Sequence, residues 1–203
     1  MKYPLNYNIY TKEFRVMIEE HFTKQEAEAI WKDANRQFVK MKKEHPDAYT
    51  SAVKVSYPFA GIYMALNKYM PKEEALAMMM EYAPRIGEKI RKIYWRFTSI
   101  PGVSTLIWKN FDKIMKSAGS EKEGYKSKLY GVKGDKAALD ILSCPVVNAL
   151  AEIGMPEVAP VMCAIDQVYS KGYRGIKFRR TKSVAEGDDC CDYRYKRVTA
   201  VKG

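Results

Sequence analysis

A cysteine and an aspartate lie three residues apart in a segment with helical periodicity. Apolar residues recur at helical spacing after Pro156, and Cys163 and Asp166 fall at the border of that apolar face. Residues three apart are neighbours on a helix surface, so the thiol would lie beside the carboxylate. Such a pair could form a reactive pocket. The other interpretation is a cysteine that serves as a small buried apolar residue.

An arginine lies on the apolar face of a predicted strand. Alternation from Ile176 directs Ile176, Phe178 and Arg180 to one face. A guanidinium there requires an anionic partner, because an unpaired buried charge is very costly. The partner could be Asp166, an acid of residues 186–192, or the carboxylate of a bound ligand. The residues alone leave an internal salt bridge and a ligand contact equally open.

Acids and thiols are concentrated in the segment Asp188-Asp189-Cys190-Cys191-Asp192-Tyr193. Alternation in the following strand directs Cys191 and Tyr193 inward and Asp192 outward. Three neighbouring acids could bind a cation or an amidine-like group. A polar hairpin turn is the simpler interpretation.

The elements that must position these residues divide into two regions. Residues 1–118 are predicted to be helical, including one helix that opens after Pro71 and that Pro84 should kink or break. Residues 119–203 form the second region, in which two predicted helices lie between two pairs of strands. The predicted strands are Lys126–Val132, Ala137–Leu142, Ile176–Val184 and Cys191–Val198, and the helices are Pro145–Ile153 and Pro156 to about Lys171.

This order predicts an α+β fold. A helical, bundle-like N-terminal part is followed by a small antiparallel sheet with a helix pair inserted. We expect the two regions to form one compact unit, because 203 residues suit a single domain.

Composition excludes several classes of protein. Hydrophobic residues make up 47% of the chain, which excludes a disordered protein. No uncharged apolar run approaches the ~20 residues of a membrane span, and the N-terminus lacks the apolar stretch of a signal peptide. We therefore expect a cytoplasmic protein, with no membrane partner and four reduced cysteines. No CxxC pair occurs and both histidines are far from the cysteines, so the spacing indicates a zinc site only weakly.

The net charge of +11 raises the question of nucleic acid. Basic residues cluster between Arg85 and Arg96 and between Lys171 and Lys182. No long basic stripe, recognition helix or aromatic platform motif accompanies them. We interpret the helical cluster as a solvated face and expect no nucleic-acid partner.

The run from Ser143 to Arg197 closely resembles the C-terminal signature of the L-2-amino-thiazoline-4-carboxylic acid hydrolase family. That signature is a Cys-Pro opening a helix, a Gly-x-Pro-Glu turn, a Cys-x-x-Asp helix, an Arg-Thr-x-x-x-Ala-x-Gly segment and a Cys-Asp-aromatic strand. All five are present here in order, as Cys144-Pro145, Gly154–Glu157, Cys163–Asp166, Arg180–Gly187 and Cys191-Asp192-Tyr193. The N-terminal helices resemble the family only in general character.

The resemblance implies a hydrolase that opens a small sulfur heterocycle to a carbamoyl-cysteine. Its substrate carries an amidine carbon and a carboxylate, so an attacking group, an acid and a cation are needed. We expect Cys163 to be nucleophile or acid–base group, Asp166 to contact the amidine and Arg180 to clamp the carboxylate. The remaining pocket residues would be Cys144, Cys191 and Asp192. Metal-activated water is the alternative to a thiol, although we predict no metal-ligand residues and the cofactor is unknown.

A second class of function stays open. The ending Gly-Asp-Asp-Cys-Cys-Asp-Tyr is also similar to the closing strand of vinyl-reductase-type ligand-binding domains. These are sensor or carrier modules for small molecules, without chemistry of their own. Either function predicts a small-molecule partner, and neither fixes the oligomeric state.

Overall fold

The computed structural model describes residues 3–198, and over these residues the predicted α+β class is confirmed. Six helices precede the sheet, and a helix pair lies between its second and third strands, as predicted. The helices are α1 (Lys12–His21), α2 (Lys24–Glu44), α3 (Tyr57–Leu66), α4 (Lys72–Thr98), α5 (Val103–Lys109), α6 (Phe111–Ala118), α7 (Pro145–Glu152) and α8 (Ala159–Tyr169). The strands are β1 (Lys126–Lys133), β2 (Lys136–Ser143), β3 (Ile176–Arg179) and β4 (Cys191–Arg197).

Contacts within the chain divide it into two units, each made of two segments. The first unit comprises residues 1–86 and 145–162, and the second comprises residues 87–144 and 163–203. The division falls inside α4 and inside α8. This division differs from the predicted boundary at residue 118. That boundary separates helical sequence from strand-containing sequence, and it stays a prediction.

In the first unit, α2 packs closely against α3. A capping box formed by Thr23 and Glu26 begins α2, which satisfies backbone N–H groups of its first turn. Gly61 allows the backbones to approach, because a Cβ there would lie 2.8 Å from the carbonyl oxygen of Ala34. The fully buried side chains around this contact include Trp31 and Phe59.

The second unit contains the four-stranded antiparallel sheet, in the order β1-β2-β4-β3. One face carries the apolar residues of alternate positions, and Leu139 of β2 lies opposite Tyr193 of β4. These pack on the aromatic residues Trp108 and Phe111 in a single core cluster. The opposite face is polar.

Strand β3 is shorter than the prediction of Ile176–Val184, which is wrong beyond Arg179. The backbone N–H groups of Thr181 and Lys182 donate to the carboxylate of Asp192, at 2.6 Å each. The chain after β3 is therefore held by a side chain and not by a strand partner. The alternation of side chains could not reveal that the carboxylate of Asp192 takes the place of a strand partner.

Helix α4 continues through Pro84, so of the kink or break predicted there the break is wrong and the kink stays a prediction. Buried Ala83 and Ile86 continue the apolar face on either side of the proline. Packing of that face therefore outweighs the hydrogen bond that proline cannot donate. Among residues 3–198, none of the helices combines the length and apolar character needed to cross a membrane.

Within the second unit, Gly87 of α4 sets how closely α8 approaches. A Cβ at Gly87 would lie 2.6 Å from Cβ of Val168 and 2.7 Å from the carbonyl oxygen of Ile165. We expect Gly87→Ala to lower the free energy of unfolding by roughly 1–3 kcal/mol, because overpacking displaces a helix backbone. Urea denaturation measures the change. Glu81→Ala on the exposed side of α4 is the control, and an equal effect of both substitutions would contradict this packing argument.

Candidate active site

The carboxylate of Asp166 is the centre of a buried polar cluster in the second unit. Its Oδ2 accepts hydrogen bonds from Nη1 of Arg180 at 2.9 Å and from the hydroxyl of Tyr193 at 2.7 Å. Its Oδ1 accepts one from the hydroxyl of Ser170 at 3.2 Å. The residue is only 8% exposed. Three donors thus replace the water that this carboxylate loses on burial.

Arg180 lies immediately after β3 and is bound at both ends. Its side chain is 7% exposed, and Nη2 donates to the carbonyl oxygen of Cys163 at 3.0 Å. Its own carbonyl oxygen accepts from Nε2 of Gln167 at 3.3 Å. The inward orientation predicted from alternation is present, and the anion beside Arg180 in this structure is Asp166. The guanidinium also lies 5.8 Å from the ring centroid of Tyr193.

Tyr193 belongs to the cluster, although it was not among the site residues predicted from the sequence. Burial, reinforced by the negative charge of Asp166, raises the pKa of its phenol well above the usual range. Tyr193 is therefore a neutral donor to Asp166 at physiological pH. The available signal was its inward alternation beside Cys191. Ser170 was missed too. It directly follows α8, and only its spacing of four residues from Asp166 could have indicated it.

Cys163 is held as a thiol. Burial raises its pKa to about 11, and the opposing influences of the Ser183 hydroxyl and the Arg180 guanidinium are smaller. The thiols of Cys191 and Cys144 also raise the pKa of Cys163, which shows that these three cysteines are neighbours. The Sγ of Cys191 accepts from the backbone N–H of Val184 at 3.4 Å. The structure therefore brings together Cys144, Cys163 and Cys191.

Asp192 lies apart from the carboxylate of Asp166 and orders the loop that follows β3. Besides the two backbone N–H groups of Thr181 and Lys182, it accepts the hydroxyl of Thr181 at 2.8 Å. Burial acts to raise the pKa of Asp192, but the hydrogen bonds from Thr181 and Lys182, together with the charge of Arg194, outweigh burial and lower it. Asp188 accepts from the backbone N–H of Ser183 at 2.7 Å, and Asp189 pairs with Lys182 at 2.8 Å. The three acids of this segment thus hold a polar turn.

Across residues 3–198, no group of three histidine, cysteine, aspartate or glutamate residues has the arrangement of a metal site. Of the three neighbouring cysteines, Cys191 belongs to the apolar core cluster and Cys144 packs against it. What the cluster offers chemically is a weakly acidic thiol, a carboxylate, a guanidinium and a phenol.

The sequence pattern of the L-2-amino-thiazoline-4-carboxylic acid hydrolase family matches residues 55–195. The chain belongs to this family. The matched range includes all five segments of the signature, among them the Cys-x-x-Asp helix and the strand of Tyr193. Among curated proteins none matches the chain.

A solved structure similar to this family member is the crystal structure of a trafficking protein particle complex subunit 3 from Naegleria fowleri covalently bound to palmitic acid. The identity is 14%, with 70% of this chain and 93% of that chain covered and a TM-score of 0.36.

The ion pair of Arg180 and Asp166 should dominate the stability of the cluster. We expect Arg180→Met to lower the free energy of unfolding by about 3–5 kcal/mol, since it leaves a buried carboxylate without its cation. Adding Asp166→Leu should recover part of the loss, because both charges are then gone. Urea denaturation of the single and double variants measures the coupling. Lys40→Met is the control, because Lys40 pairs with Glu44 in an exposed position. Equal losses of stability in Arg180→Met and Lys40→Met would contradict the prediction.

The thiol of Cys163 should make stability fall in alkaline solution. Its pKa is about 11 in the folded protein against a usual 9, so the unfolded chain releases this proton first as pH rises. The protonated thiol therefore contributes roughly 3 kcal/mol to the free energy of unfolding. This contribution is complete below pH 9 and is lost as the pH passes 11. The raised pKa of the Tyr193 phenol lowers the free energy of unfolding further above pH 10.

Urea denaturation between pH 8 and pH 11 checks this expectation. The free energy of unfolding of Cys163→Ala should decline less steeply with pH than that of the parent protein. Identical slopes would show that the thiol of Cys163 has an ordinary pKa in the folded state.

Proposed function

We propose that the protein hydrolyses a small cyclic amidine such as 2-amino-thiazoline-4-carboxylate and releases a carbamoyl-cysteine. The observation that carries the proposal is the convergence of two of the family's five signature segments in one buried cluster. The Cys-x-x-Asp helix meets the Arg-Thr segment through the hydrogen bonds from Arg180 to Asp166 and to the carbonyl oxygen of Cys163. Membership of the hydrolase family supports the class of substrate.

Arg180 is suited to bind the carboxylate of such a substrate. Its bonds to Asp166 and Cys163 engage two of the five N–H donors of a guanidinium. A guanidinium N–H that is not engaged in this way could pair with the substrate carboxylate, because arginine forms charge-assisted pairs with carboxylates. Asp166 would fix the orientation of the guanidinium while it does so.

Asp166 could instead receive the amidine itself. A cyclic amidinium resembles a guanidinium in charge and planarity, and the Oδ2 of Asp166 already accepts one such group from Arg180. The substrate would then displace Nη1 of Arg180 while the bond from Tyr193 remained. The two arrangements differ in which group of the substrate Asp166 contacts, and both need the carboxylate charge.

Cys163 would attack as its proton leaves. With a pKa of about 11, only about one molecule in ten thousand carries a thiolate at pH 7. In the proposed step the sulfur bonds to the amidine carbon while the thiol proton passes to an amidine nitrogen of the substrate. The ring C–N bond at that carbon then breaks, and the ring nitrogen leaves as an amine with the transferred proton while the carbon stays bound to the sulfur of Cys163. Water adds to this carbon, its oxygen becomes the carbamoyl oxygen, and the sulfur of Cys163 leaves as a thiol with one proton of the water.

Loss of the thiol should abolish turnover without unfolding the chain. We expect Cys163→Ala to lower the rate of carbamoyl-cysteine formation by roughly 100-fold or more. Cys190→Ala is the control, because it removes another free thiol, one that interacts with Asp140 and Asp189 instead of the Arg180 cluster. Its rate should stay within about threefold of the parent rate. Mass spectrometry of incubations with the thiazoline, with and without divalent metal, measures both rates.

Retention of full activity by Cys163→Ala would refute the proposed nucleophile. The second candidate function is a binding module without chemistry, and the observation that favours it is the mutual satisfaction of Arg180 and Asp166 beside a protonated thiol. A folded parent protein with no turnover, but with a higher melting temperature in the presence of the thiazoline, would support that function.

A further inference from the structure

The polar face of the sheet forms a groove of about 630 Å³ in the second unit, on the side opposite the apolar core. Half of its twelve lining residues are lysine or arginine, and none is aspartate or glutamate. These cations are Lys133, Lys136, Lys177, Arg179, Arg194 and Lys196. Such a concentration of one sign of charge in a concave surface raises the local concentration of anions.

Strand register places five of the cations in two short rows. Lys136 lies opposite Lys196, and Lys196 also lies opposite Lys177 on the other side of β4. In the next row on this face, Arg194 lies opposite Arg179. Neighbouring strands are about 4.8 Å apart, so each row spans at most about 10 Å.

This arrangement costs stability in the free protein. Like charges that lie directly opposite each other across two strands repel. Asp140 lies 2.6 Å from Arg194 and relieves its charge, and Lys196 makes an exposed contact with Asp135 at 3.8 Å. The other three cations of the two rows are Lys136, Lys177 and Arg179. Over residues 3–198, none of these three forms an ion pair. A ligand that carries negative charge would relieve this repulsion.

The rest of the groove leaves room for that ligand. Ala138 occupies the position beside Arg194 where a long side chain would fill the floor. Tyr130 lines the edge, and its hydroxyl is held by Asp140 at 2.8 Å. The guanidinium of Arg194 lies 5.8 Å from the centroid of the Tyr130 ring, so its orientation is fixed from two sides.

We propose that this groove binds a compact soluble anion that carries several phosphates, of the size of a nucleoside triphosphate. The cations are concentrated in two rows across three strands, which matches a short chain of phosphates. A nucleic-acid strand follows a longer basic track, usually with several stacking rings. The site is on the polar face of the sheet, so the proposal is independent of the hydrolase reaction of Cys163.

Isothermal titration of the full chain with inorganic triphosphate tests the proposal. We expect saturable binding that weakens with increasing salt, and affinity for orthophosphate that is weaker by about tenfold or more. The variant Lys177→Gln/Arg179→Gln should lose about tenfold or more in affinity for triphosphate. The control Lys42→Gln/Lys43→Gln removes the same charge from exposed positions of α2 and should bind like the parent protein.

Removal of two repelling cations should leave the variant folded, with a melting temperature no lower than that of the parent. Equal triphosphate affinity of the parent protein and Lys177→Gln/Arg179→Gln would overturn the proposal, as would the absence of binding. Two further probes are a ten-nucleotide uridine RNA and vesicles containing phosphatidylserine. Tighter binding of either probe than of triphosphate, lost in the same variant, would overturn it in favour of nucleic acid or a lipid surface.

Discussion

The buried ion pair of Arg180 and Asp166 is the constraint on which the rest of the second unit depends. Neither charge can be buried alone, because the cost of desolvation greatly exceeds what packing returns. The pair therefore fixes α8 relative to the segment that follows β3, and the hydroxyl of Tyr193 adds β4 to the same point. Gly87 permits the close approach of α4 to α8 that this arrangement uses.

The same burial that orders the cluster also suppresses its reactivity. A thiolate nucleophile needs a nearby cation, yet the guanidinium of Arg180 is engaged by Asp166 and lowers the pKa of Cys163 less than burial raises it. A resting thiol is protected from adventitious alkylation and oxidation. For a hydrolase this means that the substrate itself must accept the proton, and an amidine nitrogen is a suitable base.

The two faces of the sheet are under opposite physical demands. The inner face holds aromatic and aliphatic residues against Trp108 and Phe111, and its energetics are those of apolar burial. On the outer face, like charges lie at neighbouring positions across β2, β4 and β3. Because the inner face supplies the stability of the sheet, the outer face can tolerate repulsion that a less well-packed sheet could not.

Local sequence patterns determined the class of fold and the direction of the main side chains. Period-two alternation placed Arg180 and Tyr193 on the apolar side, and helical spacing made Cys163 and Asp166 neighbours. Those inferences were sound because each depends only on residues a few positions apart. The same reasoning failed at Pro84 and beyond Arg179, where packing and the carboxylate of Asp192 determine the backbone.

Only the tertiary structure decided which groups meet. Asp166 and Arg180 are fourteen residues apart, and Tyr193 is a further thirteen along the chain. Their meeting depends on how α8 packs on the sheet. The opposition of Lys136, Lys196 and Lys177 likewise depends on strand order and register, which are set by long-range pairing. Periodicity gives each element its faces, but the partner of each face is a property of the whole fold.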